Sequence, residues 1–237
     1  MRITPGAFGV LIGLMAAGRV QAQKQFEGMA VYRTSTGGRS AEITYYSKGT
    51  KLRQEISAGG TQAATITDYT QGKSITLIPA QKKYMVMDYK AMGKALKPLA
   101  DKLGEKDPGK PAKAVLPKFT PTGQRETVAG HSCEHFRMKG DDSTVVDFCV
   151  ARDLGFFMFG GASLGVATPE YAVLANEFKD GFFPLKISVQ KGAATRGTFE
   201  AVRIERKVMP AAMFEIPAGY TALAIPSIPG LPGRPRP

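Results

Sequence analysis

His131, Cys133 and His135 alternate along the chain, so in a strand all three project from one side. Two imidazoles flanking a thiolate at that spacing could hold a soft divalent metal ion if the sulfur stayed ionised and unpaired. A second cysteine makes another chemistry available. Residues 132–138 and 144–150 flank Lys139-Gly140-Asp141-Asp142-Ser143, a turn-forming run, and a hairpin symmetric about residue 141 sets Cys133 directly opposite Cys149. Opposed positions lie within the Cα separations that a disulfide tolerates. The preferred reading is therefore a Cys133–Cys149 disulfide, with no metal site. The same register places Phe136, Met138, Val146, Phe148 and Val150 on an apolar, core-forming face, and His131, Cys133, His135, Asp147 and Cys149 on the more polar one. The bridge closes a loop of about fifteen residues, worth up to about 3 kcal/mol in the chain-entropy model.

Other catalytic patterns are weaker. Gly161-Ala162-Ser163-Leu164-Gly165 fits the G-x-S-x-G nucleophile elbow. In the hydrolase fold that uses it the histidine follows the serine, whereas both histidines here precede Ser163. A Gly-rich loop is the plainer reading, and a serine hydrolase using Ser163 is kept only as the weakest alternative. Asp141-Asp142 falls in the hairpin turn, and Asp68, Asp88 and Glu55 fall at element edges, where solvated charge is the commoner state. No Walker loop, dinucleotide fingerprint or HExxH run is present, so no cofactor is expected. The expected module is noncatalytic.

The compartment follows from the first residues. Arg2 precedes an apolar run over 7–18, and Val20-Gln21-Ala22 satisfies the small-residue rule for cleavage, so residues 1–22 read as a signal peptide. The run is shorter than the roughly 20 residues of a spanning helix, and Arg19 follows it. A periplasmic or secreted protein is expected, in an oxidising setting where two cysteines pair. Among 237 residues, 32 Lys and Arg stand against 20 Asp and Glu, for a formal +12; loss of Arg2 and Arg19 takes two charges and leaves +10. That charge permits peripheral contact with an anionic membrane. Nucleic acid is not an expected partner, because Tyr45, Tyr46, Tyr84 and Tyr89 sit at strand edges without a recognisable binding motif. Two Cys and two His also exclude zinc-finger arrays and disulfide-dense miniproteins.

The elements that must position these residues are mostly strands. β-branched and aromatic runs over 26–36, 41–47, 51–56, 61–69, 74–78 and 83–87, separated by Gly- and Lys-rich turns, read as an antiparallel meander. Asp88 can cap a helix over 89–103, in which Met92, Ala95, Leu96, Leu99 and Leu103 form one stripe and Pro98 imposes a kink or break. Residues 105–118 read as a mobile Lys- and Pro-rich loop. Further strands are expected over 124–128, 132–138, 144–151, 185–190 and 197–208, with a helix over 169–179 and a short turn or helix over 209–214. One domain over 23–225 precedes a disordered Pro-rich tail at 226–237.

Four segments carry a resemblance: Phe26-Glu27-Gly28, the run 77–85 (LIPAQKKYM), Val128-Ala129-Gly130-His131-Ser132-Cys133, and Phe214-Glu215-Ile216-Pro217-Ala218-Gly219-Tyr220. Together, over about 26–220, they resemble the bacterial exported family called domain of unknown function 4412. That family is similar to the lipoprotein-carrier superfamily typified by LolA. The resemblance implies an α+β fold, a curved antiparallel half-barrel sheet covered by a few helices with an apolar cavity between them, and it supplies no catalytic residues. The aromatic commonly expected in the second hairpin strand is Phe148, and the chain has no Trp. Methionines make an adaptable lining, so Met85, Met87, Met92, Leu96, Leu99, Phe136, Met138 and Phe148 are the candidate cavity residues. The expected function is binding of an apolar or acylated ligand, a lipid or lipoprotein, between sheet and helices. The alternative is a structural or regulatory envelope domain with a filled core that contacts another envelope protein.

Overall fold

The computed structural model describes residues 25–58, 60–94, 118–140, 143–157 and 177–223. Twelve strands form: β1 (Gly28–Thr36), β2 (Arg39–Lys48), β3 (Lys51–Ala58), β4 (Thr61–Asp68), β5 (Lys73–Ile78), β6 (Lys83–Asp88), β7 (Thr120–Val128), β8 (His131–Lys139), β9 (Thr144–Ala151), β10 (Phe183–Lys191), β11 (Ala194–Arg206) and β12 (Thr221–Ala222). They make one curved, unclosed sheet in the order β12-β6-β5-β4-β3-β2-β1-β11-β10-β9-β8-β7. Eleven of the twelve lie where the alternation of the sequence puts them, within a few residues at each end. β12 escapes that reading because two residues carry no period; it pairs in parallel with β6, through Thr221↔Lys83 and Ala222↔Tyr84.

The expectation of a sheet covered by several helices is corrected in part. Among the described residues the helical pieces are residues 89–94, residue 177 within the expected 169–179 helix, and the short 3-10 turns Pro79–Gln81 and Ala211–Phe214. Asp88 does cap the first of these, its Oδ1 accepting the Ala91 amide at 2.9 Å. The rest of the 89–103 stripe, the loop 105–118 except Lys118, most of the 169–179 helix, the tail and the signal peptide lie outside the described residues. Among the described residues it is irregular, aromatic-rich chain that covers the sheet.

The ladder registers define two faces. On the inner face Ala30 and Tyr32 of β1 align with Tyr45 and Ile43 of β2, and the row continues through Leu52 and Gln54 of β3, Thr67 and Thr65 of β4, and Ser74 and Thr76 of β5 to Met87 and Met85 of β6. In the other direction it crosses a bulge at Val31/Tyr32 to Phe199 of β11, then Ile187 of β10, Phe148 of β9 and Phe136 of β8. The β8–β2 half of this face is closed by Phe26, Phe119, Leu154, Phe156, Phe157, Phe178 and Phe182, all buried. Backbone bonds fix that cover: the Phe26 amide donates to the Phe156 carbonyl at 3.1 Å, and the Phe157 amide to the Phe182 carbonyl at 2.9 Å. Gly181 is needed there, since at φ +151° an added Cβ would lie 2.3 Å from the Arg152 carbonyl oxygen. The Tyr32 hydroxyl donates to the Pro184 carbonyl at 3.0 Å. Burial holds both inner phenols neutral, raising Tyr32 well above the ordinary value and pushing Tyr45 up to about 12.

The outer face of β2–β6 is covered by the chain after β11. Met209 and Phe214 are buried against Ala64, Ile66 and Leu77, with Tyr46, Ile75, Tyr84, Met213 and Tyr220 packed around them. Side chains from the sheet grip this strap. Lys48 Nζ donates to the Met209 carbonyl, Arg53 Nη1 to the Met213 carbonyl at 3.1 Å, and Glu27 Oε1 accepts the Met209 amide at 3.0 Å.

Candidate functional site

The expected cavity residues share a face, and they divide into two environments. Phe136 is buried, its ring 4.8 Å from that of Phe178 and beneath the Arg152 guanidinium at 5.4 Å. Met138 and Phe148 are half-buried against the same core, with Phe148 5.6 Å from Phe119. This half is occupied by the chain's own rings. On β6, Met85 is half-buried, while Met87 is 37% exposed and Met92, on the helical turn that follows, is 42% exposed. Their inner-face neighbours by register are Ser74 and Thr76, then Thr65 and Thr67, rather than aromatics. The β4–β6 half therefore carries hydroxyls, of which Ser74 is buried, and methionines, of which Met87 is exposed. Leu96 and Leu99 lie outside the described residues.

The outer face of β7–β11 carries a charged cluster. His135 Nδ1 lies 2.5 Å from Asp147 Oδ1, and His135 Nε2 lies 3.3 Å from Glu126 Oε1. Lys186 Nζ stands 3.3 Å from the same Glu126 oxygen and 3.9 Å from Glu200, and Arg137 Nη2 donates to Asp147 Oδ2 at 3.2 Å. That Glu126 oxygen is buried without an aligned hydrogen bond; the Lys186 ammonium is its ion-pair partner, and the His135 ring nitrogen lies at the same distance. Glu126, His135 and Cys149 bring possible ligand atoms within 4.8 Å of one another. The sulfur is spent in the disulfide, and the Lys186 ammonium already neutralises the carboxylate. The arrangement reads as an internally compensated ion network rather than a metal centre. Sequence reasoning placed His135 and Asp147 on this face but missed Glu126 and Lys186. Glu126 was within reach, because the Ala129-Gly130 turn pairs Val128 with His131 and hence Glu126 with Cys133. Lys186 arrives from 60 residues away, with no local signal.

Cys133 and Cys149 are bonded, but not as a directly opposed pair. The ladder runs Phe136↔Phe148 and His135↔Cys149, so the hairpin is centred one residue later than the symmetric reading and the cysteines are diagonal neighbours. Their Cα atoms are still 5.3 Å apart, which the right-handed strand twist permits by drawing one diagonal together. Because the shift between partners is two residues, every side chain keeps its expected face. The bridge is buried, Cys133 at 3% and Cys149 at 1% exposure. Protein unfolded without reductant is expected to show no titratable thiol, and two per chain after reduction; two thiols without reductant would contradict the bridge. Ser163, Asp141 and Asp142 lie outside the described residues.

A family model described as "Domain of unknown function (DUF4412)" matches residues 26–220. No curated protein matches the sequence. Among solved structures, an uncharacterized conserved protein from Thermus thermophilus is similar at 6% identity and a TM-score of 0.48, over 83% of this chain and 90% of that one. The Pseudomonas aeruginosa MucA/MucB complex is similar at 12% identity and a TM-score of 0.48, over 85% of this chain and 59% of that one. A DUF1329 family protein from Desulfovibrio piger is similar at 12% identity and a TM-score of 0.28, over 79% and 88%.

Proposed function

The chain belongs to the DUF4412 family, and from that premise we propose that it is a noncatalytic extracytoplasmic module that holds an apolar or acylated ligand, a lipid or the acyl part of a lipoprotein, on the β4–β6 half of its inner face. The observation that carries the reading is the exposure of Met87, two residues from half-buried Met85 on β6, and of Met92 on the helical turn that follows, with the other half of the sheet face closed by aromatic rings. Apolar side chains left in water at the end of an otherwise covered face gain free energy when an acyl chain replaces that water, roughly 25 cal/mol per Å² of apolar surface removed. Thioethers adapt to chains of varied shape. The buried disulfide supports an oxidising compartment.

A second reading has its own support. Phe136, Phe148 and their neighbours are already packed by Phe119, Phe178 and Phe182, which is what a filled-core envelope domain acting through its surface requires. Uptake of a fluorescent long-chain fatty acid, with native mass spectrometry of the purified protein, separates the two. The acyl reading expects saturable binding that Met87→Gln with Met92→Gln weakens at least about tenfold, from the lost burial of two methionine side chains. Because both side chains are substantially exposed, the pair should cost the fold less than about 1 kcal/mol. No binding by the parent, or binding indifferent to both substitutions, would leave the filled-core domain.

A further inference from the structure

One rim of the sheet has a charge composition unlike the other. Consecutive strands are antiparallel, so the connections β1–β2, β3–β4, β5–β6, β8–β9 and β10–β11 and the start of β7 all fall at one end. That end carries Arg39, Lys82, Lys83, Lys118, Lys139 and Arg196, all exposed except the half-buried Lys83, and Lys191 lies there too. The first six make no ion pair among the described residues. The acids at these connections are Asp141 and Asp142, which lie outside the described residues. At the opposite rim most charges are matched: Lys51 faces Asp68, Lys73 faces Asp88, Lys48 pairs with Glu27 and Lys207 with Glu205, while Lys90 and Lys94 after β6 and Arg206 at the end of β11 have no ion-pair partner among the described residues. The larger share of the unmatched positive charge thus stands at one end.

We propose that this rim docks the protein on an anionic lipid membrane. Connections two strands apart stand about 10 Å from each other, since neighbouring strands are about 4.8 Å apart. Cations at that spacing cannot converge on one small anion, but they match an extended surface of separate headgroups. The turns that carry them are small and glycine-rich, with Gly37, Gly38, Gly140 and Gly192, so the backbone does not hold the charges away from a plane. The exposed residues of these described turns include no aromatic ring to stack on bases, which is what a single-stranded nucleic-acid groove uses. The inference does not depend on the acyl ligand.

Each Lys or Arg held near an anionic leaflet strengthens attachment about fivefold. The test is co-sedimentation of the full chain with equimolar phosphatidylglycerol–phosphatidylcholine vesicles, with pure phosphatidylcholine vesicles as the subtraction for apolar insertion. Binding to the anionic vesicles should fall as salt rises. A variant with Lys82, Lys118, Lys139 and Arg196 changed to Ser should lose at least about a hundredfold in affinity. A variant with the same number of changes at the other rim, Lys51, Lys73, Lys90 and Lys207 to Ser, should stay within about threefold of the parent. Equal losses in the two variants would reduce the effect to net charge and overturn the proposal, as would absence of binding by the parent. Complete displacement by polyglutamate at matched charge concentration would assign the rim to a soluble acidic polymer instead.

Discussion

Phe157→Ala is expected to destabilise the protein by about 3–5 kcal/mol. Phe157 is 1% exposed, and its ring stacks on Phe183 at 4.7 Å while meeting the edges of Tyr45 at 5.7 Å and Phe26 at 5.8 Å. Truncation removes contacts on all of these sides. The surroundings cannot collapse to fill the space, because the backbone at 157 is tied to Phe182 and the neighbouring Phe26 amide to Phe156. A cavity therefore persists, and its cost adds to the lost transfer free energy. Urea unfolding followed by far-ultraviolet dichroism measures the effect, with an unchanged m-value marking a change in stability rather than in the unfolded state. A loss below about 1 kcal/mol would mean that the 154–157 segment is not seated on the sheet.

The strands were legible because a half-buried sheet imposes a period of two that survives in the sequence without any tertiary information. The face assignments at Phe136, Phe148, Cys133 and Cys149 were legible for the same reason, and they tolerated an error in hairpin centre because moving a partner by two residues returns each side chain to its own side. The pairing partner itself was less legible. It depends on how Gly140 and Ser143 close the turn, with the Gly140 amide donating to the Thr144 carbonyl at 2.8 Å and Ser143 at φ +63°, and no symmetry argument contains that. What covers each face was not legible either. The segment 154–157 has no helical or strand period, so its aromatics read only as apolar chain, although they close one half of the inner face. The closing motif from Phe214 to Tyr220 was recognised by likeness, but its physical role, strapping the outer face of β2–β6, appears only once Met209 and Phe214 are seen against Ile66 and Leu77.

Replacing Cys133 and Cys149 together by Ala is expected to lower stability by about 3–4 kcal/mol, of which about 3 kcal/mol is the entropy returned to an unfolded chain no longer closed across 16 residues. The structure gives two reasons to place the effect toward the upper end. Both sulfurs are buried, so their removal also leaves unfilled volume. The bridge lies in the β8–β9 ladder next to β7, the edge strand, whose own pairing to β8 is interrupted between Pro121 and Arg125. Without the covalent tie, the edge hairpin relies on that interrupted ladder and on the Glu126, His135, Lys186 and Asp147 contacts. Those contacts are partly solvated and contribute little on their own. Urea titrations with and without reductant make the attribution direct. Reductant should move the midpoint of the parent, and should leave that of the double variant where it is. A parent indifferent to reductant under conditions that reduce the unfolded chain would show that the stability of this edge rests on packing, and a variant as stable as the parent would remove the bridge from the account of the fold.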